Sequence, residues 1–341
     1  MATTKSADLP HLRSVVLAGH SGAGKTTLAE ALLFRTGAIS RLGRVEDGTT
    51  SMDTEPEAQK RHISLSLGVA SLDDEGNVVT LVDTPGYPDF VAEVVAGFQA
   101  TDAALVCMDA TGGVEAGTET AVSLARANRT ATLFVVNKCD RENAEPGAVV
   151  DALRAEFGNK IAPLQLALGK AETFSGYVDL VHRKAYRWDG RQEVEVPIPP
   201  EMEAEVAARR DQLLEAASEA DDDILTKYLE GEEITDAELD ACLHRGVRDS
   251  ILAPVLVASA TKGIGLRGLL DAIVRYLPAP SEEPPVVAHD PQTTDPIGVA
   301  PDPDGPRPVR VLHTPRDPSA ARLADPPGPP GPLPPPSRAR P

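Results

Sequence analysis

The run Gly19-His20-Ser21-Gly22-Ala23-Gly24-Lys25-Thr26-Thr27 has the residue types and spacing that hold a polyphosphate, G-x-x-x-x-G-K-[ST]. Without a Cβ in the way, its glycines let the backbone wrap closely around phosphate oxygens. Successive N–H groups then point at the anion, helped by the N-terminus of the helix that follows. In this arrangement Lys25 neutralises the β- and γ-phosphates and the Thr26 hydroxyl is a ligand for Mg²⁺. A glycine-rich turn matching by chance would lack the apolar strand before it and the helix after it, and both are predicted here.

Three later segments select the base and the metal. Asp83-Thr84-Pro85-Gly86 puts a carboxylate where it binds Mg²⁺ through water, and the Gly86 amide where it senses a γ-phosphate. In Asn137-Lys138-Cys139-Asp140 the Asp140 carboxylate accepts two hydrogen bonds, from guanine N1–H and the 2-amino group, while the Lys138 stem lies under the base. Adenine has no donor there and would leave a buried carboxylate unpaired, a penalty of about 1–3 kcal/mol. Ser259-Ala260-Thr261-Lys262 matches a loop whose backbone N–H reads guanine O6. The implied ligands are GTP or GDP with Mg²⁺. If GTP is hydrolysed, water attacks the γ-phosphate in line, and Lys25 with the amides of residues 22–25 stabilises the charge.

Each motif must sit at the end of a strand. Apolar runs at 14–18, 78–82, 103–108, 132–136 and 255–259 read as buried strands. Residues 25–36, 117–128, 145–157 and 266–277 read as helices between them. This alternation predicts an α/β fold, a mainly parallel sheet with helices on both faces. A subdomain inserted at about 159–253 breaks the rhythm. It is β-rich at 177–181, 185–188 and 193–196, then helical and acidic at 201–220, 223–230 and 236–249. Within it, Asp221-Asp222-Asp223 reads as a helix N-cap rather than a metal cluster, and His182 and His244 as surface or packing residues. Residues 1–11 read as a flexible N-terminus and 12–280 as the folded unit. Residues 281–341 hold 19 of the 31 prolines and read as a disordered tail.

A net charge of −19 argues against broad nucleic-acid binding, including direct DNA binding. No run of 18 apolar residues exists to span a membrane and no secretory signal is visible. Cys107, Cys139 and Cys242 lack metal-ligand spacing and read as buried thiols in a reducing cytoplasm.

GHSGAGKTT, DTPGYPDF, NKCD and SATKGIG together resemble translational GTPases, and more narrowly the elongation factor G group. Residues 163–166, 176–180 and 185–188 are similar to the start of that group's extra insert, and 270–278 to the helix ending its G domain. The resemblance covers about 12–285. It implies a P-loop GTPase domain, ribosome-coupled GTP hydrolysis and a monomer. Three positions depart from the pattern. Tyr87 stands where the group has the histidine that positions the attacking water, Ser64 where it has a Mg²⁺-binding threonine, and Gly22 where it has aspartate. Ser64 keeps the hydroxyl. These changes look like an elongation-factor-G-like paralogue with slow turnover, and they leave a second reading open: a GTP/GDP switch with little or no hydrolysis. His20 reads as structural; Lys60-Arg61-His62 reads equally as a ribosomal RNA contact or a solvated loop. Segments 302–305, 309–313 and 317–318 resemble an interrupted start of that group's second domain. Beyond them the chain is rich in Pro, Arg, Ala and Gly, the residues GC-rich DNA yields out of frame. Two readings follow: a frameshift near 305–320, or a genuine Pro-rich tail.

Overall fold

The computed structural model describes residues 9–289, 293 and 295–302. The elements run β1 (Leu12–Ala18), α1 (Lys25–Arg35), α2 (Pro56–Arg61), β2 (Gly68–Asp74), β3 (Asn77–Asp83), α3 (Val91–Ala100), β4 (Ala103–Asp109), α4 (Ala116–Asn128), β5 (Ala131–Asn137) and α5 (Pro146–Phe157). Then come β6 (Ile161–Pro163), β7 (Gln165–Leu168), β8 (Gly176–Asp179), β9 (Lys184–Trp188), β10 (Glu193–Val196), α6 (Glu203–Ala220), α7 (Asp222–Glu230) and α8 (Asp236–Arg248). The chain returns through β11 (Ala253–Val257) and α9 (Leu266–Tyr276), followed by β12 (Val286–His289) and β13 (Pro296–Val299).

Seven strands form the main sheet in the order β2-β3-β1-β4-β5-β11-β6. Every neighbouring pair is parallel except β2–β3. The inner strands β4 and β5 are buried along nearly their whole length, as strands covered on both faces must be. β2 alternates between covered and exposed residues because it is the sheet's edge. One apolar core joins the sheet to α1, α9 and the inserted helices, with Leu28, Leu32, Leu269 and Ile273 fully buried. The opposite core joins it to α3, α4 and α5 through Phe98, Val122 and Leu153. Helices on both faces are thus the observed arrangement. In α9, Leu266, Leu269, Leu270, Ile273 and Tyr276 make one buried stripe. Truncating a fully buried leucine such as Leu269 to alanine costs about 2–5 kcal/mol.

Between α5 and β11 the chain builds a second, antiparallel sheet, β10-β9-β8-β7, and then α6 to α8, of which α6 packs on β6 and α8 on β5 and α9. Asp221 caps α7, its carboxylate accepting from Asp223 N and Ile224 N. Thr235 and Glu238 form a reciprocal capping box at α8. β6, at the start of the insertion, pairs with β11 and so belongs to the main sheet. Val286–His289 and Pro296–Val299, read from sequence as part of the tail, instead pair as antiparallel strands. The two valines of β12 suit a strand, and Pro296 stands at the start of β13, where a missing N–H is tolerated. From residue 303 onward the tail, with its frameshift reading and nearly all of its second-domain reading, lies outside the described residues. Among the described residues, no helix is long and apolar enough to cross a membrane.

Candidate functional site

The first three motifs meet at the carboxyl ends of β1, β3 and β5, and the last follows β11, where parallel sheets open a crevice for ligands. Gly19 to Gly24 link β1 to α1, whose first turn carries Lys25, Thr26 and the half-buried Thr27. Gly24 has φ +89°, and a Cβ there would lie 2.5 Å from Asn137 Nδ2, so only glycine fits. Lys25 is almost fully buried, and its ammonium donates to the carbonyls of Gly19 (3.1 Å) and His20 (2.9 Å). Burial lowers the Lys25 pKa, with the nearby Asp83 acting against it. His20 Nδ1 receives the Gly117 amide at 3.3 Å, which ties the loop to α4.

At the cation end, Thr26 Oγ1 donates to Asp83 Oδ2 at 2.5 Å and lies 3.1 Å from Ser64 Oγ. The other Asp83 oxygen, Oδ1, is buried with no partner. Burial pushes the Asp83 carboxyl up to about 7, against the Thr26 hydrogen bond and the Lys25 charge. Two hydroxyls and a carboxylate with an orphaned oxygen form a hard, anionic donor set that suits a hydrated Mg²⁺. The predicted trio Thr26, Ser64 and Asp83 is therefore together. Gly86 presses on the phosphate loop: a Cβ there would sit 2.6 Å from Lys25 Nζ and from Ser21 Cα. Its neighbour Tyr87 opens a 3₁₀ turn and is 42% exposed.

At the base end, Asn137 is a crossbrace. Its Nδ2 donates to Ala23 O at 3.2 Å, and its Oδ1 accepts from Ala260 N at 3.0 Å. A ligand oxygen at this loop must therefore share the Ala260 amide or take a neighbouring one. Lys138 donates to Gly22 O and to Asp109 Oδ2. Asp140 Oδ1 is buried without a partner, and Lys262 Nζ is 4.0 Å from its other oxygen. Ser259 is fully buried, and its Oγ receives the Lys262 amide at 3.3 Å and lies 3.4 Å from Thr261 Oγ1. All the predicted loops converge, with one orphaned carboxylate oxygen at each end.

Four contributors have no motif to reveal them. Glu30 on α1 is buried and accepts from Gly43 N, Ser51 N, Ser51 Oγ and Met52 N, so it fastens the loop leading to Ser64. Asp53, nearly buried, hydrogen-bonds Ser64, and burial raises its pKa. Asp109 holds Lys138. Trp188, on the second sheet, packs beside the 259–263 loop: a Cβ on Gly263 would lie 3.7 Å from its ring. Only a strand-end acid such as Asp109 carries any sequence signal, and a weak one.

Residues 10–279 match the family model described as the elongation factor Tu GTP binding domain. Elongation factor G 2 of Syntrophus aciditrophicus is 36% identical over 291 residues, 84% of this chain and 43% of that protein. Elongation factor G of Thermotoga petrophila is 36% identical over 282 residues, 82% of this chain and 41% of that protein. A crystal structure of a Thermus thermophilus protein superposes with a TM-score of 0.75 at 42% identity, covering 83% of this chain and 44% of that one. The chain thus spans less than half the length of the relatives it matches.

Proposed function

Because this chain belongs to the elongation factor Tu GTP-binding domain family, within its elongation factor G group, we propose that it binds GTP and GDP with Mg²⁺ and hydrolyses GTP slowly, in partnership with the ribosome. The observation that carries the nucleotide reading is the buried, unpartnered Oδ1 of Asp140. An orphaned carboxylate oxygen costs stability until a ligand brings donors to it, and guanine brings two. At the other end, Thr26, Ser64 and Asp83 would hold Mg²⁺, which when bound offsets charge on the β- and γ-phosphates. Lys25 gives up two carbonyl contacts to reach phosphate oxygens, and Gly86 lies close enough for its amide to meet the γ-phosphate. Ribosome partnership rests on the elongation factor G relatives alone.

Competition binding tests the base: GDP should displace a fluorescent GDP analogue at least roughly 100-fold better than ADP. Equal displacement by ADP would sink the guanine reading. The exposed Tyr87 favours the second reading, a switch with little turnover. Its bulky phenol is a poorer group than an imidazole for orienting water and has no ring nitrogen to accept a proton from it. Single-turnover hydrolysis with Tyr87→His separates the two. A large gain makes this position the limit on chemistry, and no change clears it.

A further inference from the structure

We propose that Asp109 is a positioning residue for the nucleotide base: it clamps the Lys138 ammonium so that the lysine stem is already laid out where the base stacks, and thereby lengthens the time the nucleotide stays bound. The proposal rests on the guanine-nucleotide reading above.

Lys138 Nζ donates to Asp109 Oδ2 at 2.6 Å and to Gly22 O, so its stem bridges from the end of β5 to the phosphate loop. Both side chains are only 15% exposed, which sets this pair apart from the exposed ion pairs at the surface. Asp109 is itself fixed. Its Oδ1 accepts from Thr111 N at 2.9 Å and Thr111 Oγ1 at 2.7 Å. It ends β4 in register with Asn137, the residue before Lys138. The Lys138 backbone, at φ +63°, sits in a conformation that non-glycine residues rarely adopt. The surroundings therefore specify this lysine's backbone and its tip together. Without Asp109, the tip keeps one neutral carbonyl and the flexible stem gains freedom that the base must remove on binding. Asp140, which meets the base edge, is separate from this pair, so base identity should be read as before.

The test is GDP dissociation, followed with a fluorescent GDP analogue by stopped flow, in the 341-residue chain. Wild type must bind the analogue first; failure there removes the nucleotide reading rather than this one. Asp109→Asn should then release GDP about 5- to 30-fold faster, with the GDP-to-XDP preference unchanged. In a Lys138→Met background, Asp109→Asn should have no further effect, a pattern that a general loss of fold would not give. Asp109→Glu serves as the conservative variant and should recover part of the slow release. Unchanged release from Asp109→Asn, or the same acceleration with and without Lys138, would overturn the proposal.

Discussion

Thr26 Oγ1 donates to Asp83 Oδ2 at 2.5 Å, yet the second oxygen of the same carboxylate is buried and has no partner. The empty-handed oxygen makes the isolated domain less stable than it would be with a neutral group there. Asp83→Asn should therefore raise the melting temperature of the nucleotide-free protein, reflecting roughly 1 kcal/mol or more of relieved burial cost. The same variant should bind GDP at least about tenfold more weakly in Mg²⁺ but about equally in EDTA. Calorimetry under both conditions checks the pair of outcomes. A loss that persists in EDTA would mean that Asp83 acts on the nucleotide without a metal.

Asp140 should control which purine is taken. Asparagine at this position presents a donor toward the base's C2 substituent, which suits the carbonyl of xanthine and clashes with the amino group of guanine. Asp140→Asn is expected to weaken GDP by about 100-fold and to bring XDP into the range of wild-type GDP affinity. Competition titrations with both nucleotides give the answer, and unchanged GDP binding would place the base elsewhere.

Trp188 is the chain's single tryptophan, and it lies against the loop that follows β11. Nucleotide binding that orders this loop should change its emission intensity or wavelength. The signal should saturate with GDP and vanish in Trp188→Phe. A flat titration in a protein shown independently to bind GDP would mean the loop is already set.

Glu283 gives a pH signature. Burial first, then the negative charges of Asp102 and Glu282, push its carboxyl up to about 7 from an ordinary 4.5, with Arg248 opposing. A raised folded-state pKa means that the native protein holds this proton more tightly than the unfolded chain. The resulting cost is absent below about pH 4.5 and fully present above about pH 7. Glu283→Gln should stabilise by about 1 kcal/mol at about pH 8, allowing for solvent screening of a half-buried group, and by nothing measurable at about pH 4.5. Thermal melts should show a gain of a few degrees at the higher pH only.

The nucleotide loops were legible because each is a short run whose chemistry depends on neighbours in sequence. Strands such as β4 and β5 were legible because they are apolar on both faces. Other elements were not. In β2 only Gly68 and Leu72 are buried, as an exposed edge requires, so it lacks a continuous apolar run. α3 (VAEVVAGFQA) mixes helical spacing with three β-branched valines and a glycine, so its local preferences conflict. Glu30 and Asp53 were invisible for another reason. Their roles come from partners far along the chain: Gly43, Ser51 and Met52 for Glu30, and Ser64 for Asp53. An isolated acid in a sequence does not announce whether it will be solvated or buried.

The sheet order has a consequence for synthesis. β5 is made well before β11, yet β11 sits between β5 and β6. When β6 has been made, the place beside it is still vacant, and both flanking strands present unpaired backbone groups across it. The whole antiparallel sheet and α6 to α8 must be translated before the missing strand arrives. The nascent domain therefore cannot seal its sheet gradually from one edge. It must hold a slot open, or rearrange to admit its last main-sheet strand, and the base-reading loop, which directly follows that strand, is completed only then.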